Sequence, residues 1–126
     1  MSRGFRWGLG AAAGVAVLAA TAAWAHPKIV LARPAPSVSL FRVPVKVQVW
    51  FDEELDPRGS KLTVWNQERA QVDRGDGRVS LDDRKLLEVN LHWLAPGRYT
   101  VKWRAMADDD KGVSQGEFTF RVVAHQ

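Results

Sequence analysis

The residues of this chain best suited to chemistry lie in two short stretches. In Ala23-Trp24-Ala25-His26-Pro27, a cut after Ala25 would make His26 the first residue. That residue would then carry both a ring nitrogen and an α-amine, and the pair can close a chelate on a metal. Without the cut, His26 is an ordinary histidine. The second stretch, Ala107-Asp108-Asp109-Asp110-Lys111-Gly112, sets three carboxylates in a row. Such a run reads as a solvated turn, because like charges repel and prefer water; the other reading makes one carboxylate a metal ligand held near the start of the chain. His92 and His125 each stand alone, and no Ser/His/Asp or Cys/His set accompanies them. The chain has no cysteine, so a metal site must rest on nitrogen and oxygen ligands, with Met106 the only sulfur once Met1 is removed.

These stretches need an exported scaffold. Residues 1–25 have the regions of a secretory signal: Arg3 and Arg6 at the charged start, an apolar run from about Trp7 to Ala20, and Ala23-Trp24-Ala25 as a small-x-small cleavage pattern. The alternative is an uncleaved anchor, since the uncharged run from Trp7 to Ala25 approaches the ~20 residues that span a bilayer. Its weak, Ala- and Gly-rich hydrophobicity and the good cleavage site favour removal, leaving residues 26–126 as one domain that ends up soluble in the periplasm. Setting Arg3 and Arg6 aside leaves 16 Lys and Arg against 14 Asp and Glu. With charges of both signs interspersed, nucleic-acid binding is not expected.

From Lys28 onward, short runs of period-two alternation are separated by Gly, Pro and Asp, the pattern of an all-β sandwich or barrel. Lys28 to about Leu40 is interrupted by Pro34 and Pro36 and should be an edge strand in two pieces. Val45, Val47, Val49 and Phe51 share one face of a strand. Asp52 to Gly59 is a polar connection without the ligand spacing of a helical calcium loop, and Lys61 to Asn66 is the next strand. The Asp73-Arg74-Gly75-Asp76-Gly77 patch is a turn. Leu87, Val89, Leu91 and Trp93 alternate with Glu88, Asn90 and His92; Tyr99, Val101 and Trp103 alternate with Thr100, Lys102 and Arg104. Phe118, Phe120 and Val122 line the last strand. Seven or so strands fit two packed sheets with Greek-key connections. The alternation puts Trp93 and Trp103 in the core. Trp50 and Trp65 fall on the outward phase, where they pack back over a sheet edge, cover a site or meet a partner, as the exposed tryptophans of a carbohydrate-binding module do.

An ordered set of segments carries a family resemblance: His26-Pro27-Lys28-Ile29-Val30, Phe51-Asp52-Glu53-Glu54, Leu94-Ala95-Pro96-Gly97-Arg98-Tyr99-Thr100-Val101, and Trp103-Arg104-Ala105-Met106 leading to Ser114 and Phe118-Thr119-Phe120. Together they resemble the CopC family of periplasmic copper-binding proteins of bacterial copper resistance and homeostasis. The resemblance implies an immunoglobulin-like, seven-stranded Greek-key β-sandwich or barrel. It also implies a Cu(II) site made of the mature N-terminal histidine, through amine and ring, with an Asp and a His two residues apart in the loop before the last strand. Carried over, the metal ligands are His26 and Asp109, and the loop histidine falls on Lys111. The methionine-rich segment that some members use for Cu(I) is missing, so no Cu(I) methionine site is expected. The implied partners are the copper ion and a membrane copper transporter of the CopD type.

The substitution at Lys111 has its own physics. Cu(II) prefers tetragonal nitrogen and oxygen ligands, and an α-amine with a reference pKa of about 8 deprotonates to bind it near neutral pH. A lysine ammonium, with a reference pKa of about 10.4, has no lone pair until it loses a proton. Without metal, Lys111 is expected to pair with Asp109 and compete for that carboxylate. Three outcomes are open: a weaker, water-completed Cu(II) site on His26 and Asp109, a degenerate β-sandwich acting as a non-metal interaction module, or a site rebuilt around Asp108, Asp110 or another metal. Catalysis is not expected, because the second histidine of an oxidative copper enzyme is also missing.

Overall fold

The computed structural model describes residues 26–124, and the signal-like residues 1–25 lie outside it, as does His125. The described residues contain no helix long and apolar enough to cross a membrane. They form eight strand segments: β1 (Ile29–Arg33), β2 (Ser39–Leu40), β3 (Lys46–Phe51), β4 (Lys61–Trp65), β5 (Arg78–Val79), β6 (Leu86–Asn90), β7 (Gly97–Met106) and β8 (Val113–Val122). Two of them, β2 and β5, are two residues long. The strands build two four-stranded sheets, ordered β1-β3-β6-β5 and β2-β8-β7-β4. All pairings are antiparallel except β2 with β8. The chain changes sheet between β1 and β2, β2 and β3, β3 and β4, β4 and β5, and β6 and β7, which is how a Greek-key sandwich is wound.

Alternation in the sequence sets the inner faces. Val47, Val49 and Phe51 of β3, Leu62 and Val64 of β4, Leu87 and Val89 of β6, and Tyr99 and Val101 of β7 are all buried in one core. Each such aliphatic or aromatic side chain contributes about 1.5–3 kcal/mol by leaving water. Pro34 and Pro36 interrupt the first segment as expected, and the chain crosses there from β1 to β2. The Tyr99 hydroxyl donates to the Ala95 carbonyl, a tyrosine corner pinning the turn before β7 to the sandwich. Tyr99 also stacks on Phe120 with ring centroids 5.5 Å apart. At Gly77 a side chain would collide with the Leu62 carbonyl, 2.4 Å from where its Cβ would stand. That close approach lets the 70–77 segment cover the outer edge of β4, and Val72 N–H and the Asp73 carboxylate bond to Val64 along it.

Two expectations about the core need correction. Trp93 is 74% exposed, and Leu94 is buried in its stead. The reason is that β6 stops pairing with β3 at Asn90↔Lys46; beyond the Asp73↔Leu91 bridge the chain leaves the sheet and the period-two phase ends. At the other end of the same pairing, Val45 is 72% exposed because β3 begins only at Lys46. Trp103 does take the inward phase. It packs against Phe51 at 5.5 Å between ring centroids while staying half-exposed. Trp50 and Trp65 are both outward and half-buried, each covered by a cation, Arg33 over Trp50 at 5.6 Å and Lys102 over Trp65 at 5.3 Å.

Candidate metal centre

His26 is exposed but not loose. Pro27, next to it, is fully buried, and the Pro27 carbonyl accepts a hydrogen bond from the Ser114 hydroxyl. His26 Nδ1 lies 2.6 Å from the Val113 carbonyl oxygen. A carbonyl only accepts, so Nδ1 is the donor in this contact. Lys28 then exchanges backbone bonds with Asp52: its N–H donates to the Asp52 side chain at 2.8 Å, and its carbonyl accepts from Asp52 N–H at 2.9 Å. The start of the described chain is thus stapled both to β8 and to the loop after β3.

That loop is more than the solvated connection its composition suggests. Leu55, set among carboxylates, is completely buried and bridges Ala107. Asp56 N–H donates to the Met106 carbonyl and Asp108 N–H to the Glu54 carbonyl, at 2.8 and 2.9 Å. The 52–59 and 107–112 loops are therefore zipped together by their backbones, with the buried leucine holding two acidic stretches side by side despite their repulsion.

The 107–112 loop closes on itself through Ala107 N–H to the Gly112 carbonyl and Lys111 N–H to the Ala107 carbonyl. Lys111 holds a left-handed backbone, with φ at 62°. Such a conformation is uncommon outside glycine, though His, Asn and Asp adopt it more readily than most residues. The turn also orders its own carboxylates. Asp109 accepts from Asp110 N–H at 2.6 Å, and Asp110 accepts from Gly112 N–H at 2.9 Å.

The expectation that Lys111 pairs with Asp109 is not met. Its ammonium lies 2.9 Å from Asp56 and 3.8 Å from Asp108, because the zipped loops bring Asp56 alongside although 55 residues separate it from Lys111. The hydrogen bond to Asp56 holds the lysine above its usual pKa, and the same bond holds the Asp56 carboxyl below its own. Lys111 is thereby further from offering a lone pair than a solvated lysine would be.

A shallow cleft of about 360 Å³ opens between the loops, lined by Asp52, Glu53, Glu54, Lys85, Asp108 and Asp109. Glu53 is its most perturbed carboxyl. Partial burial raises its pKa first, repulsion from Asp109, Asp52 and Asp110 raises it further, and His26 pulls the other way. Glu53 therefore feels both the histidine and the aspartate singled out in the sequence, and it is the residue of this site that sequence reasoning missed. The signal was present in the buried-type residue Leu55, which implied that the acidic loop folds inward. Among the described residues, no three or more His, Asp or Glu side chains are drawn together as a closed metal cage. His26 is held by Val113, Asp109 by the turn and Lys111 by Asp56. Of these three, Asp109 lines the cleft, while His26 and Lys111 are not among its lining residues.

The comparisons with known proteins bear on the family and the fold. A family model described as the CopC domain matches residues 29–123. A protein called Copper resistance protein C, from Xanthomonas campestris pv. juglandis, is 27% identical over 113 residues, spanning 85% of this chain and 87% of its own. The crystal structure of CopC from Methylosinus trichosporium OB3b superposes with a TM-score of 0.69 at 24% identity, over 80% of this chain and 97% of that one. That of PcoC, a methionine-rich copper resistance protein from Escherichia coli, gives 0.62 at 28% identity, over 78% and 99%.

Proposed function

The chain belongs to the CopC domain family, and on that footing we propose that it is an exported Cu(II)-binding protein of copper resistance and homeostasis. The observation that carries the reading is the anchoring of His26 to Val113 at the end of the 107–112 loop, with Glu53 under the influence of both His26 and Asp109. Cleavage after Ala25 releases the His26 amine. Amine, His26 ring and Asp109 then supply two nitrogens and an oxygen to Cu(II), a suitable set for a tetragonal ion, with water completing the site. The Glu53 carboxylate lies at hand as a further oxygen donor. A dication in the cleft also relieves the repulsion among Glu53, Asp52, Asp109 and Asp110, so part of the binding energy comes from charge already crowded there.

Two features set the strength of this site. The small chelate ring that joins the amine to the same residue's ring runs through Nδ1, the nitrogen now donating to Val113, so loading requires the imidazole to turn off that carbonyl. Lys111 stays with Asp56 and acts as a neighbouring cation instead of a ligand, which weakens Cu(II) by repulsion. The protein then serves as a carrier that hands copper to or takes it from a membrane copper transporter, and no step of catalysis is assigned to it.

Isothermal titration of the exported, untagged protein tests the reading. Cu(II) binds the wild type, and His26→Ala abolishes the binding; equal binding by both would overturn it. Lys111→His, placed on a backbone that histidine tolerates, tightens Cu(II) about tenfold or more by exchanging a repelling cation for an imidazole donor.

A further inference from the structure

The outer face of the β2-β8-β7-β4 sheet carries a second candidate surface. Two adjoining hollows of about 730 and 580 Å³ lie across it and share Trp65, Lys102 and Glu117. Lys61 and Arg104 line the first, Arg69 and Arg98 the second. The register explains the cluster. Lys61 sits opposite Arg104 and Thr63 opposite Lys102, while Arg98, Lys102 and Arg104 alternate along β7 and so share its outer face. Trp103 and Gly116, from the opposite phase of their strands, also line the first hollow.

These cations outnumber the acids around them, with Glu117 facing Lys102 across the β7-β8 pair. Among the described residues, the ion pairs join Arg84 and Lys111 to Asp56 and Asp108, and none involves a groove cation. Of the two acids lining the groove, Asp73 is buried and accepts from Val64 N–H, the Gln71 amide and Gly75 N–H, which leaves Glu117 against five cations. Arg104 adds an independent sign: its Nε is buried and has no hydrogen-bond partner. A buried donor left unmet is costly, and an acceptor brought to it is favoured.

We propose that this groove binds an extended acidic peptide segment of a partner protein, with carboxylates at alternate positions pairing with Lys102 and Arg104. The pitch supports this occupant. Residues two apart on a strand stand about 6.8 Å apart, and an extended peptide presents every second side chain at the same spacing. A carboxylate docking along the edge of the Arg104 guanidinium makes a forked, charge-assisted pair and, with a small rotation of the group, gives its Nε–H an acceptor. The edge of β4 is already covered by the 70–77 segment, so the partner lies across the face and does not extend the sheet.

The proposal stands apart from the copper reading and is tested without copper. An acetylated octapeptide alternating Glu and Thr is titrated into the exported protein and followed by tryptophan fluorescence, beside a peptide of the same composition with its glutamates grouped at one end. The alternating peptide binds more tightly, and raising salt weakens it. Lys102→Glu, an exposed change that leaves the fold intact, weakens it about tenfold or more by reversing a charge at the centre of the groove. Arg104→Lys keeps the charge, loses the fork, and also weakens binding. Equal affinity for the two peptides, indifference to Lys102→Glu, or binding to phosphatidylglycerol vesicles but not to the peptide would each overturn the proposal. Copper titration of the same variants is unchanged, so a failure here is separable from a failure of the metal site.

Discussion

Two charged regions of this sandwich are built in opposite ways. The acidic mouth is made of loops, and its charged groups are engaged locally: Asp109 with a backbone N–H, Asp56 with Lys111, His26 with Val113. The basic groove is made mostly of strand side chains whose spacing is set by the sheet and whose cations, among the described residues, make no salt bridge. On the proposed reading, the mouth takes an ion only after the cut behind Ala25 and the turning of His26, whereas the proposed groove needs no such event. One fold would then hold a conditional site in its loops and an unconditional one on a sheet face.

The largest effect is expected where both regions share a support. Phe51 precedes the acidic loop and packs against Trp103, a residue of the strand that carries the groove's Lys102 and Arg104. Phe51→Ala removes a fully buried ring at a cost of about 3–5 kcal/mol. Against a total of roughly 5–15 kcal/mol for a domain, thermal unfolding should show a drastically lowered midpoint, with both binding properties lost near it. Retention of either at full strength in a protein that has lost its sharp transition would show that the two regions do not share this support.

A smaller effect separates the regions. Lys111→Met removes the pair with Asp56 and leaves the groove untouched. The depressed Asp56 carboxyl contributes stability that is present above its unfolded pKa near 3.8 and is lost as pH falls through its lower folded value. The raised Lys111 contributes stability present below about 10.5 and lost as pH rises through its higher folded value. The variant should therefore be slightly less stable at neutral pH, with flatter stability profiles at the acid and alkaline ends, as read from urea midpoints against pH. Parallel profiles for variant and wild type would remove the pair from the account.

The smallest effect sharpens the contrast most. Glu53→Gln relieves repulsion in the mouth, so the metal-free protein should gain slightly in thermal midpoint while its Cu(II) affinity falls. In the wild type, the raised Glu53 carboxyl disfavours the folded state as pH rises through its folded value, and the variant loses that decline. A fall in both stability and affinity would mean that Glu53 supports the loop instead of straining it.

Much of the sandwich was legible in the sequence, because β3, β6 and β7 write their buried faces as alternate apolar residues. Trp93 was misread for a physical reason: alternation persists in the letters after the strand has stopped pairing at Asn90. Family resemblance brought His26 and Asp109 forward, but the partners that decide their behaviour lie far off in sequence. Val113 is 87 residues from His26, and Asp56 is 55 from Lys111. Glu53 was hidden in a run of acids whose inward fold depends on Leu55. The groove cations read singly as the solvated side of each strand, and only the register that sets Lys61 beside Arg104 shows them as one surface.

The central claim is that a metal site at the mouth comes into being with the His26 terminus. Mass spectrometry of the exported protein under native conditions, with and without Cu(II), reads both halves together. The account predicts a chain beginning at His26 that gains the mass of copper, and a His26→Ala chain that does not. A wild-type chain beginning at His26 that takes up no copper, or an equal gain by the alanine variant, would contradict it.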